Sequence, residues 1–150
     1  MNDMTMADEL STGTVFIEDL VPGMTRSLTK TIDISLVQQF AEVSEDRNPI
    51  HLCEETGRAS VFKERVAHGM LSASLFSALL GERLPGHGTV YLGQTLKFLA
   101  PVKVGEVVTA SVTVSEIHKQ RKRVKLECEA KVGDKLVIIG EATVLAPSRG

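Results

Sequence analysis

The chain has 150 residues, a formal charge of −2 and 43% hydrophobic residues, which suits one domain able to bury roughly 68–70% of its unfolded surface without a staple. Near-neutral charge, with no basic run interleaved with aromatics, argues against a nucleic-acid partner. Cys53 and Cys128 fit no paired zinc spacing and no C-x-x-C motif, no uncharged apolar run reaches 18 residues, and Met1 to Gly13 lack the apolar core of a secretory leader, so a cytoplasmic domain with reduced thiols and no membrane span is expected.

Residues 1–14 read as a disordered tail and residues 15–147 as a single domain. Val15, Ile17 and Leu20 lead into a Val21-Pro22-Gly23-Met24 turn, and Ser27 to Thr31 suits a short strand. Asp33 is placed to cap a helix whose Ile34, Val37, Phe40 and Ala41 share one face. That helix is predicted to end near Val43, before Ser44-Glu45-Asp46-Arg47-Asn48-Pro49-Ile50-His51. Pro49 lacks an N–H and drives Asn48 out of the α region, so the segment reads as a rigid turn. A polar connection follows, Cys53 to Ser60, with some helical character.

His68 to Gly81 carries no charge, and its polar members are small hydroxyls apart from His68 itself. A helix apolar nearly all round is a buried helix. Fourteen residues span only about 21 Å, too short for a bilayer. Gly81 offers a C-terminal stop. The second half supplies what encloses it. Thr89 to Leu99 is rich in strand formers. Val108, Ala110, Val112 and Val114 alternate with polar residues, as do Val124, Leu126, Cys128, Ala130 and Val132. Such a period of two gives one dry and one wet face. Gly133-Asp134 reads as a hairpin turn before a last strand, Leu136 to Leu145. Helices segregated from four long strands predict an α+β fold, its antiparallel sheet curled around the buried helix.

The corner between Ser44 and His51 carries the chemistry. Asp46 and His51 are placed to converge on one buried water as an acid–base pair. The same letters are also ordinary turn chemistry, with Asp and Asn bonding local backbone and Pro fixing φ. His68-Gly69 opens the buried helix, where N–H groups without internal partners carry the positive end of the helix dipole. Gly69 leaves room for a ligand oxygen to approach. N–H donors aimed at a carbonyl oxygen, flanked by a carboxylate and an imidazole, suit proton transfer beside a carbonyl. Relief of packing at a helix start is the bland alternative for Gly69.

Three segments in this order resemble the MaoC-like dehydratases, in particular the (R)-specific enoyl-CoA hydratases of hot-dog fold. They are Asp46-Arg47-Asn48-Pro49-Ile50-His51, Val66-Ala67-His68-Gly69-Met70-Leu71, and Tyr91 to Phe98 followed by Pro101-Val102. The resemblance covers roughly Ile17 to Leu145. It implies reversible hydration of a short-chain trans-2-enoyl-CoA to the (R)-3-hydroxyacyl-CoA, with supply of polyhydroxyalkanoate monomers as the associated pathway. No metal or other cofactor is implied, CoA being part of the substrate. Asp46 and His51 become the catalytic pair, Asn48 an orienting residue and Gly69 the thioester-oxygen donor. Ser77 is implied to line the site and Leu80 to bound the acyl pocket. A homodimer with one continuous sheet is implied. The rivals are a hot-dog acyl-CoA thioesterase, a non-catalytic acyl-binding subunit and a dehydratase working on acyl carrier protein. Many members have Gly directly before the catalytic Asp; here Glu45 stands there, and ordinary backbone with an outward side chain is expected for it.

Overall fold

The period-two segments all become strands of one antiparallel sheet, and the uncharged segment becomes the helix it encloses. In chain order, the computed structural model has β1 (Thr25–Thr31), α1 (Ile34–Ser44), α2 (Pro49–Leu52), α3 (Glu54–Ala59), α4 (Gly69–Glu82), β2 (Val90–Phe98), β3 (Val107–His118), β4 (Arg123–Val132) and β5 (Lys135–Leu145). It describes residues 12–150, so most of the expected tail lies outside the described residues. Gly13 and Thr14, assigned to that tail, are fastened. The Gly13 N–H donates to the Glu82 carbonyl at 2.9 Å, and Thr14 forms a bridge with Gly86.

The sheet order is β1-β3-β4-β5-β2, with every neighbouring pair antiparallel. Register places Val112 opposite Cys128 and Leu126 opposite Ala142, which keeps alternate apolar side chains on one face. Val108, Ala110, Val112, Val124, Leu126, Ala130, Ala142 and Val144 are fully buried there. Against them pack Phe76 and Leu79 of α4, both at 0% exposure. Truncating a side chain such as Phe76 to Ala costs about 3–5 kcal/mol in comparable cores. Gly81 is not the helix stop that was expected. It lies inside α4, and Arg83 takes the C-cap, its N–H bonded to the Leu79 carbonyl.

Two relationships aim the site. The His68–Gly69 end of α4 is held against the chain after β2, because the Ala67 N–H donates to the Val102 carbonyl at 2.7 Å and Val66 bridges Lys103. Among the described residues β2 is an edge strand. Its Val90, Tyr91, Leu92 and Phe98 stand exposed. No helix among the described residues is long and apolar enough to cross a membrane.

Candidate active site

Helix α1 starts as the sequence predicts, with the Asp33 carboxylate accepting the Leu36 N–H at 3.0 Å. It ends differently. Glu45 takes the left-handed conformation, φ 66° and ψ 11°, and its N–H closes the helix on the Ala41 carbonyl at 2.9 Å. The expectation of ordinary backbone at Glu45 is therefore corrected, although its side chain is exposed as expected. A helix that must reverse direction at once needs a left-handed cap, where a residue with a Cβ costs about 1–2 kcal/mol.

Beyond that cap the corner builds itself from short-range hydrogen bonds. Asp46 Oδ1 accepts the Asn48 N–H at 3.2 Å, and Asn48 Oδ1 accepts the Ile50 N–H at 3.2 Å. Asn48 is extended, φ −55° and ψ 125°, as the following proline requires. Pro49 then occupies the first turn of α2, where a missing N–H is no loss. The rigid turn read from the sequence thus contains a one-turn helix, capped by Asn48, which carries His51.

His51 is 9% exposed. Its Nδ1 lies 2.6 Å from the Val66 carbonyl. A carbonyl only accepts, so Nδ1 carries the hydrogen and Nε2 is left for proton exchange. An oxygen of Asp46 and one ring nitrogen each of His51 and His68 lie within 4.8 Å of one another. One tetrahedral water making two bonds of about 2.8 Å spans roughly 4.5 Å. The expected pair is therefore brought together, but not around a buried water: Asp46 is exposed.

His51, but not Asp46, lines a cavity of about 530 Å³, with Asn48, Gly69, Ser72, Phe98 and Ile138 among its other walls, within the usual size of small-molecule sites. Its wall is otherwise apolar, with Phe62, Met70 and Leu99 among the contributors. Gly69, the first residue of α4, sits under the Phe98 ring. A Cβ there would lie 2.6 Å from Phe98 Cε1. Ser77 is exposed on α4 and Leu80 is packed in the core at 1% exposure; neither lines this cavity.

Sequence reasoning missed three contributors. His68 is a full member of the cluster, 3% exposed, with its ring stacked on that of His51 at 3.9 Å between centroids. The adjacent His68-Gly69 pair at a helix start was the available signal. Phe98 and Ile138 meet at the cavity because β2 and β5 pair there, Phe98 opposite Ile138, and strand register is invisible in a single sequence.

Residues 20–135 match the family model described as MaoC like domain. The chain is 49% identical over 135 residues to a Rhodospirillum rubrum protein named (R)-specific enoyl-CoA hydratase, covering 90% of this chain and 94% of that one. It is 47% identical to a Methylorubrum extorquens 3-hydroxybutyryl-CoA dehydratase, covering 90% and 86% respectively. The solved (R)-hydratase from A. caviae, described as involved in PHA biosynthesis, superimposes with a TM-score of 0.85 at 41% identity, covering 87% of this chain and 99% of that structure.

Proposed function

The chain belongs to the MaoC-like domain family, and we propose that it is an (R)-specific enoyl-CoA hydratase, a hydro-lyase adding water to short-chain trans-2-enoyl-CoA thioesters. The observation that carries this reading is the meeting of Asp46 and His51 within 4.8 Å, with His51 on the wall of a largely apolar cavity that Gly69, the first residue of α4, also lines. The substrate's thioester carbonyl accepts from the Gly69 N–H, at the positive end of the helix dipole. As water attacks C3, the Asp46 carboxylate takes its proton. His51 carries a hydrogen on Nε2 as well as on Nδ1 when substrate binds. It delivers the Nε2 proton to C2 and is left as the Nδ1–H imidazole, and the negative charge that builds on the thioester oxygen is held where preorganised donors act most. The proton gained by Asp46 returns to His51 after product leaves, and dehydration follows the same path in reverse.

Each supporting group has a reason to be where it is. Asn48 caps α2 and so fixes the direction of the His51 side chain. The Val66 carbonyl holds the His51 tautomer. Addition of water is redox-neutral, and the helix terminus polarises the carbonyl, so the step calls for no metal or redox cofactor. The names of the similar proteins support acyl-CoA as the substrate class and a place in polyhydroxyalkanoate supply.

The active form we propose is a homodimer in the cytoplasm. The exposed apolar edge of β2 supports pairing with a second copy, since unpaired edges of this kind are normally covered. Free Cys53 and Cys128 suit a reducing compartment.

The test is incubation with crotonyl-CoA, followed by absorbance of the conjugated enoyl group, free thiol and chiral product. Loss of absorbance without thiol release, giving the (R)-alcohol, is the expected result. Thiol release would identify a thioesterase, and no reaction with CoA or carrier-protein substrates would identify a binding subunit.

A further inference from the structure

His68 is a buried polar group that the hydration chemistry leaves unused. It is the N-cap residue of α4, yet its side chain makes no cap hydrogen bond. A helix start ordinarily takes Ser, Thr, Asp or Asn there, whose oxygen binds the N2 or N3 N–H. Here the side chain turns the other way. Its Nε2 lies 2.9 Å from the main-chain carbonyl of Asp46, and so must donate to it. One face of the ring stacks on His51 at 3.9 Å and 30°, and Phe40 of α1 lies tilted beside it at 4.9 Å and 55°. Its Nδ1 is buried without a hydrogen-bond partner. An apolar side chain would fill that space without a buried unpaired nitrogen, so packing alone is a poor reason for a histidine here.

We propose that His68 is a positioning residue: by one hydrogen bond and one ring stack it ties the Asp46 corner to the His51 ring, and both to the first residue of α4. The consequence lies in three parts of the chain. Asp46 follows a left-handed cap, His51 stands on a one-turn helix, and Gly69 begins α4; His68 touches or adjoins all three. Without its N–H the corner loses the hydrogen bond that joins the Asp46 carbonyl to the start of α4, and the carboxylate drifts relative to the imidazole while the cavity wall stays in place. The inference rests on the hydratase reading, because it assigns His68 a part in that acid–base geometry.

Two substitutions separate donation from packing. His68→Phe keeps a flat ring against His51 and Phe40 but has no donor. His68→Gln places an amide N–H at about the reach of Nε2. The expected result is a fall in kcat of about 10- to 100-fold for His68→Phe with KM within about twofold, the scale of small misplacements in an active site. His68→Gln should recover kcat to within about fivefold of the parent. A His68→Phe enzyme with the parent's kcat, or a folded His68→Gln enzyme as slow as His68→Phe, would overturn the proposal. Should His68→Phe fail to fold, His68→Leu gives the same donor-less comparison. Asp46→Asn measured in parallel tells the two failures apart. If it is slow while His68→Phe is fast, only the role of His68 falls; if Asp46→Asn keeps full rate, the acid–base reading falls and this inference with it.

Discussion

The Phe98 ring rests on the α-carbon of Gly69 so closely that a methyl group on Gly69 would lie 2.6 Å from Cε1 and 2.8 Å from Cδ1. One residue begins the buried helix and the other ends an edge strand, and between them they set how a carbonyl oxygen reaches the helix N–H. Gly69→Ala should therefore lower kcat/KM by about 10²-fold, the scale of losing one preorganised donor. The melting temperature should change little, because Phe98 is half exposed and can turn aside. If the collision is the cause, adding Phe98→Ala to Gly69→Ala restores part of the rate. A double variant no faster than the single one would place the cause elsewhere.

Glu45 pays a conformational penalty at φ 66° for ending α1. Glu45→Gly removes about 1–2 kcal/mol of that strain and adds back roughly 0.4–1 kcal/mol of unfolded-state entropy. Denaturant unfolding should show a net gain of up to about 1.6 kcal/mol. A loss of stability would mean that the Glu45 side chain contributes something the backbone argument omits.

The two thiols should differ sharply in reactivity. Hydrogen bonding from the Thr56 side chain lowers the Cys53 pKa, whereas burial raises that of Cys128 to about 11. The thiolate is the reactive form, so between pH 7 and 9 an alkylating reagent should modify Cys53 and leave Cys128 intact in the native protein. Peptide mapping after timed labelling checks this; equal labelling of both would contradict the buried placement of Cys128.

The β2 edge gives the dimer proposal its handle. Leu92 is 47% exposed on that strand. A charge on an edge strand opposes pairing, so Leu92→Glu should shift the mass in solution from dimer to monomer at micromolar concentration. Sedimentation reads the outcome directly, and an unchanged dimer would move the interface away from β2.

Much of this architecture was legible in the residues. β4 runs from Arg123 to Val132, where the alternation put it, and Asp33 caps α1. Pro49 forced the extended Asn48 and so announced the corner. What escaped reading depends on contacts between distant segments or on single dihedral angles. Glu45 adopts a left-handed cap because Asp46 must fold back, and composition carries no trace of that need. His68 looked like a flanking residue until the chain returned it to the Asp46 carbonyl, 22 positions away. Gly81 seemed to be a stop because glycine often is one, but the chain has Arg83 and then Leu84-Pro85 to end α4. Ser77 and Leu80 were assigned to the site through the resemblance, and they lie along α4 outside the cavity that His51 and Gly69 line.

The proposed exchange of hydration protons by Asp46 and His51 makes both side chains indispensable to turnover. Steady-state rates of Asp46→Asn and His51→Ala on crotonyl-CoA, with folding checked by circular dichroism, test it most directly. Each variant should lose about 10²–10⁴-fold in kcat while keeping the parent's melting profile. Near-parental turnover in both would contradict it.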